Sequence, residues 1–441
     1  MTAWPRTWGF LIVGAACAHY AAAAQAPPAF ANVPAVEPPA EETASLLTLD
    51  EAVRLAMVDQ PLLTSRQATI ESEQQQAVAA AQLPDPKLSG GLKELPVDTP
   101  EAFSVRRDNF TEFTVGVSQE FTRAEKRRLR GARQWQGADA DRAALQNDER
   151  AVRRDTSLAW LDVYEAERAY QLTQRLIDEA ALQVRALEKD YTAGKASQAD
   201  WLAAKVEAEL VSDKAHDWLH HALRARDGLA RWIGDAARRP LADSPALPVS
   251  PIALPALIAR SDHHPVIGGF DRQIDASATD VALARQAYKP DVSVELYFAY
   301  RRDFADFVGV QFTVGLPYFT QNRQDRGLAA ALKQSHAIEE RKRDALRELH
   351  AQVNQDYVDW LHFTQRGAEF DTVIIPDAQH RVDAARSAYA TGRGGFDAVL
   401  LARRGRLDVQ VQRLNLAVEA ARAQIRLNYL TVPQTASGDA P

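Results

Sequence analysis

The chain has 441 residues, 46% of them hydrophobic and 25% charged, with a formal net charge of −7. That balance offers no basic footprint for nucleic acid. The mean hydropathy is −0.33, and no interior stretch reaches the roughly 18 apolar residues of a membrane helix, which excludes a helical membrane protein but not a β-barrel, whose signal per strand is weak.

The N-terminus stands apart. Arg6 precedes the apolar, alanine-rich run Trp8–Ala24, and Ala22-Ala23-Ala24 ahead of Gln25 fits an A-x-A cleavage site. Residues 1–24 therefore read as a secretory signal peptide, with an uncleaved anchor as the alternative, and 25–46 as a Pro/Ala-rich N-terminal segment. Cys17 is the only cysteine. Cleavage after Ala24 would leave no disulfide. The other option is lipidation of Cys17, although Gly14 stands where such sites carry a larger aliphatic residue.

Thr48 with Glu51 three residues later is a capping-box pattern. It opens a helix expected to run to about Gln82, where Pro84 and Pro86 stop it. Strands follow over about 87–95 and 110–121, with a polar connection at 96–109. Residues 123–190 contain no proline, and Leu172, Leu176, Ala180, Val184, Leu187 and Tyr191 recur at spacings of three and four. A helix of roughly 68 residues would be about 100 Å long, against an average of about 11–12 residues. Gly194 marks a turn, and helix resumes to about Ile233. These elements make a first repeat, 47–233.

Pro240, Pro245, Pro248 and Pro251 mark 234–253 as a linker. The second repeat, 254–431, reads as helix (255–288), strands (about 291–301 and 307–319), a long helix (about 323–388), a turn at Gly392 and a helix (397–430). Pro376 should kink the long helix. Residues 432–441 form a polar, flexible tail.

The two repeats match residue by residue at their punctuation. Pro61 and Pro86 recur as Pro265 and Pro290, both offset by 204. Phe113-Thr114-Val115-Gly116 recurs as Phe312-Thr313-Val314-Gly315, and Tyr191-Thr192-Ala193-Gly194 as Tyr389-Ala390-Thr391-Gly392. A period near 200 is too long for a solenoid and indicates duplication of one large unit.

The strands alternate. Val292, Val294, Leu296, Phe298 and Tyr300 fall on one face, with Ser293, Glu295, Tyr297 and Ala299 on the other; Val308–Leu316 behaves likewise. Each strand is about ten residues, the length that crosses an outer-membrane barrel. Half-burial in a soluble sheet is the alternative. Four strands cannot close a bacterial barrel, which begins at about eight, so spanning strands would require several chains to share one barrel.

These features together resemble the TolC-type outer-membrane efflux family over about residues 47–431. They are the Leu49-Asp50-Glu51-Ala52 opening, the paired prolines and the two Tyr-x-x-Gly turns. Leu202 and Ala204 follow the first turn at the spacings at which Leu400 and Ala402 follow the second. The resemblance implies a mainly α fold with a small β part: a duplicated helix–strand–strand–helix unit, a long α-helical barrel, and four strands per chain in a shared 12-stranded transmembrane β-barrel. It implies a homotrimer in the outer membrane, in contact with its lipid and extending into the periplasm. The partners it implies are a periplasmic adaptor (membrane fusion) protein and an inner-membrane transporter of the RND type. The expected function is a passive export duct. Leu83-Pro84-Asp85-Pro86, Glu94-Leu95-Pro96-Val97 and Gln119-Glu120-Phe121 running into Lys126-Arg127-Arg128 resemble the heavy-metal (CzcC- and CusC-type) branch, with drug efflux or type I secretion as alternatives on the same fold. An exported coiled-coil scaffold or adhesin without a pore is the alternative of another class.

The resemblance places Tyr191, Gly194, Lys195 and Asp200, with Tyr389, Gly392, Arg393 and Asp397, at the periplasmic tip where the adaptor docks. Family members often ring the tunnel mouth with aspartates after the second turn; here Leu401 stands where a second one can occur. Glu295, Tyr297 and Gln311 would face the barrel lumen. Lys126-Arg127-Arg128 with Arg130 reads as a solvated helix start, with placement near the inner membrane face as the functional alternative. His220-His221 and His263-His264 are adjacent pairs, pointing about 100° apart on a helix, whereas metal pairs favour i,i+4. No nucleophile–base pair, phosphate loop or Cys/His metal spacing is present, so no catalytic residue, cofactor or metal site is expected.

Overall fold

The computed structural model describes residues 46–245 and 253–432. The signal peptide, Cys17, nearly all of the 25–46 segment and the tail beyond Val432 lie outside the described residues. The chain runs α1 (Leu49–Val58), α2 (Pro61–Ala80), β1 (Lys87–Lys93), β2 (Glu112–Phe121), α3 (Ala124–Thr192) and α4 (Gln198–Ile233). It then repeats the order as α5 (Leu254–Ser261), α6 (Pro265–Gln286), β3 (Val292–Tyr300), β4 (Phe307–Val314), α7 (Gln324–Glu369), α8 (Ile375–Ala390) and α9 (Phe396–Leu430). Among the described residues no helix is long and apolar enough to cross a membrane.

Two local features differ from the sequence expectation, and a third is located more closely. The helix expected over 47–82 breaks before Pro61, and that expected over 255–288 breaks before Pro265. Each proline sits at the first helical position, preceded by an extended residue, Gln60 (ψ 106°) or His264 (ψ 140°). Proline lacks the N–H an uninterrupted helix would need and biases its predecessor away from helix. The capping box at Thr48 is half made. Thr48 Oγ1 accepts from the Glu51 N–H at 3.2 Å, while the Glu51 carboxylate pairs with Arg239 of the linker at 2.8 Å. The long helix expected to be disturbed at Pro376 is divided just upstream, where Phe370–Ile374 form a π-turn joining α7 to α8. One extra residue in a turn relieves the clash between the proline ring and the preceding carbonyls.

The long helices lie side by side. α3 packs on α2 and α6 along one half and on α4 and α9 along the other, while α7 packs on α6 and then α9. Where the halves meet, Trp160 is fully buried and donates from Nε1 to the Leu47 carbonyl at 3.1 Å, beside Leu161, Leu229 and Val418. Arg150 reinforces this level by donating to the carbonyls of Asn428, Tyr429 and Thr431 at the end of α9, which satisfies acceptors a helix end leaves open. His264 caps α6 there. It is 1% exposed, its Nδ1 accepts from the Val266 N–H, and its ring meets Tyr429 edge-on. Burial first, then the field of Arg150, lowers the imidazole to about 4. Of the His263-His264 pair, His264 is the cap of α6.

Candidate functional site

The four strands form one antiparallel sheet in the order β1-β2-β3-β4. β2 and β3, from different repeats, are central, and β1 and β4 are edges whose outer backbone groups meet no strand among the described residues. The strands end for local reasons. Glu94 turns β1 with φ 55°. Asp108 accepts from the N–H groups of Phe110 and Thr111 just before β2. Pro317 follows β4 and cannot donate to a ladder.

The register separates two faces. Tyr297 lies opposite Gly116 on one side and Gly309 on the other, and Glu295 lies opposite Ser118 and Gln311. Ser89 Oγ donates to Glu295 Oε1 at 2.8 Å, and Lys93 Nζ stands 4.9 Å from the centre of the Tyr297 ring. The expected lumen residues Glu295, Tyr297 and Gln311 therefore share one polar, small-residue face. The opposite face carries Leu88, Val115, Val117, Leu296, Val310 and Phe312, each at least half exposed. A contiguous apolar surface of this kind on a chain's outside marks a partner or membrane contact. Aromatic residues stand at both of its ends, with Phe113 and Tyr300 near the hairpin connections and Phe121, Tyr318 and Phe319 near the helices. Arg301 ties the two connections by donating to the Asn109 carbonyl at 2.8 Å.

The two Tyr-x-x-Gly turns are built alike. Gly194 and Gly392 both have φ 69°, the left-handed region that favours glycine. The Lys195 N–H reaches back to the Asp190 carbonyl at 2.7 Å, and Arg393 to Ala388 at 2.8 Å, closing the same helix-ending motif. The turns also meet. Phe396, 1% exposed, packs with Leu187, Ala204 and Val399 against Trp201 and Tyr389. Tyr191 stacks on Trp201 with centroids 5.8 Å apart, and Tyr389 tilts against Phe396 at 5.4 Å. Burial first, then the fields of Asp200 and Asp190, raises the Tyr389 phenol above its usual range. The expected turn residues are thus brought to one end of the helices, where Lys195 and Arg393 are exposed.

The aspartates differ. Asp200 completes a capping box with Ser197, its N–H donating to Ser197 Oγ at 3.1 Å while its carboxylate accepts the Ser197 N–H at 3.3 Å. Asp397 is exposed at the start of α9, whose cap, Gly395, has no side chain. Sequence reasoning missed Trp201, Phe396 and the arginines Arg386, Arg403 and Arg406, which line a groove with Glu179 between α3, α8 and α9. Arg406 pairs with Glu179 at 2.9 Å. For Arg403, burial first lowers the pKa, and the charges of Arg386 and Arg406 add to that lowering. Among the described residues no group of three or more His, Cys, Asp or Glu side chains is placed to hold a metal ion.

No protein-family model matches the chain, and no curated protein matches it significantly. Solved structures do. A membrane protein from Pseudomonas aeruginosa superposes with a TM-score of 0.73 at 16% identity, covering 87% of this chain and 92% of that one. The CmeC outer membrane channel of Campylobacter jejuni gives 0.72 at 14% identity, covering 87% and 85%. CusC, solved in connection with transmembrane channel formation, gives 0.73 at 14% identity, covering 90% and 95%. The fold is that of the TolC-type outer-membrane channels. It is mostly helical with a small antiparallel four-stranded sheet. The near-equal scores of CusC and CmeC do not separate the branches of this fold.

Proposed function

We propose that the chain is the outer-membrane duct of a tripartite efflux pump. Three copies would pair β1 of one with β4 of the next into a 12-stranded barrel, and their helices would continue it as a periplasmic tunnel. The observation that carries this reading is the sheet itself: two edges unpaired among the described residues, an apolar face bounded by aromatics, and a polar face seated on glycines. Open edges of this length invite pairing with another chain, and only a closed sheet satisfies its backbone in lipid. The Tyr-x-x-Gly end, with Lys195 and Arg393 exposed, would dock a periplasmic adaptor. An inner-membrane transporter, of the RND type in this reading, would supply the energy and most of the selectivity.

Heavy-metal cations are the proposed cargo, on the resemblance of Leu83-Pro84-Asp85-Pro86 and its companions to the metal branch. Chain purified from outer membranes should conduct in a planar bilayer. A monomer that stays soluble without detergent and conducts nothing would sink the duct. Loss of copper, silver, zinc, cobalt or cadmium tolerance in a deletion strain would support the cargo. Unchanged metal tolerance with lost drug or dye tolerance would replace it with drug efflux.

A further inference from the structure

Gly116 and Gly309 are glycines in strands, where glycine ordinarily weakens the sheet. Neither has the positive φ that would require it. What each provides is room. A Cβ built on Gly309 would overlap the Tyr297 ring, at its Cζ, Cε1 and Oη atoms. One built on Gly116 would meet Glu295 Oε1 at 2.8 Å, Ser89 Oγ at 2.9 Å and Tyr297 Cβ at 3.0 Å. The Tyr297 ring therefore lies down over the backbone of the edge strand β4 instead of standing off the sheet. Lys93 sits beside its ring and Ser89 holds its neighbour Glu295. An aromatic ring covering an edge glycine restores the packing the glycine forgoes.

We infer that Gly309 and Gly116 set the calibre of the duct, by giving Tyr297 and Glu295 a place against the wall. Tyr297 is the side chain that would obstruct the lumen if that place were filled. The inference rests on the proposed duct and on its polar face being the lumen. Three copies would repeat the arrangement, so one substitution would move three rings inward together.

The test reads access from outside the cell, so that the periplasmic tip does not limit it. Ser293→Cys puts a thiol on the Tyr297 face, beyond Tyr297 from the hairpin end. Labelling is followed with N-ethylmaleimide and with a bulky polyethylene-glycol maleimide. Gly309→Ala should cut the rate of the bulky reagent several-fold and leave that of the small one unchanged. Adding Tyr297→Ala should restore it. Tyr297→Ala alone should change little, because the ring already lies out of the way. A bulky-reagent rate indifferent to Gly309→Ala, or a loss that Tyr297→Ala does not restore, overturns the inference alone. So does a clear gain with Tyr297→Ala by itself, which needs no Gly309 variant to fold. No labelling of Ser293→Cys by either reagent overturns the lumen assignment, and this inference with it.

Discussion

The two helical hairpins share their turn geometry but not the build of their helices. The first, α3 and α4, rises from an uninterrupted 69-residue helix and restarts on the Ser197–Asp200 capping box. The second passes through the π-turn at Phe370–Ile374 and restarts at Gly395, which has no side chain to cap with. Asp371, in that π-turn, is held by a fork from Arg413 on α9, both bonds at 2.7 Å. Duplication thus preserved the architecture and let local stability diverge. A hairpin with an extra residue in one helix and a weaker start to the other opens at lower cost. The second hairpin is where a tip that opens should move.

The largest expected effect comes from Phe396, the residue of the second hairpin most deeply set against the first. Phe396→Ala should cost about 3–5 kcal/mol locally. Hydrogen exchange should rise across 390–410 far more than across 190–210; equal rises would end the distinction between hairpins.

The next effect separates the two helix breaks. His264 is buried and neutral with its pKa lowered to about 4, whereas Gln60 caps its break with no side-chain bond. A lowered histidine leaves the folded state fewer protons than the unfolded one. Stability should be complete above the unfolded value near 6.5 and be lost as the pH falls from there toward 4, by up to about 3 kcal/mol. His264→Asn, which keeps a capping side chain, should flatten the fall in unfolding temperature between pH 7 and pH 5. The same fall in the variant would remove His264 from the account.

Ser197→Ala removes the cap the second hairpin lacks and should cost about 1 kcal/mol. Exchange at the start of α4 should then approach that at the start of α9. The smallest effect is Asp371→Asn. The Arg413 hydrogen bond, its largest cause, lowers the pKa of Asp371, so the pair stabilises above the usual carboxylate range and weakens as the pH falls through the lowered value. Asp371 is half exposed, and exposed pairs contribute about 0.2–1 kcal/mol. Exchange confined to 366–380 should increase at neutral pH and lose its acid dependence in the variant.

Much of this was legible in sequence because it is punctuated locally. Alternation over 292–300 gives the two faces of β3, and a proline-free stretch gives α3. Tyr-x-x-Gly gives both turns, because a left-handed residue there needs glycine. What was not legible depends on pairing between distant segments. Phe396 reads as one more apolar residue until the repeats are set side by side and Trp201 appears across from it. Gly309 is an ordinary small residue until the register puts Tyr297 opposite. Pro61 and Pro265 were visible, but the helical pattern on either side hides the break before each. Pro376 signals a disturbance without saying that Phe370–Ile374 absorb it.

The central claim is that β1 of one copy pairs with β4 of the next. Cysteine pairs placed across that junction, scanning Leu88→Cys or Leu92→Cys against Val308→Cys, Val310→Cys or Phe312→Cys, test it directly in outer membranes. The account predicts that one register of pairs oxidises to a covalently closed trimer that stays together in denaturing, non-reducing gels. A chain that yields only monomer in every register, while remaining soluble without detergent, would contradict it.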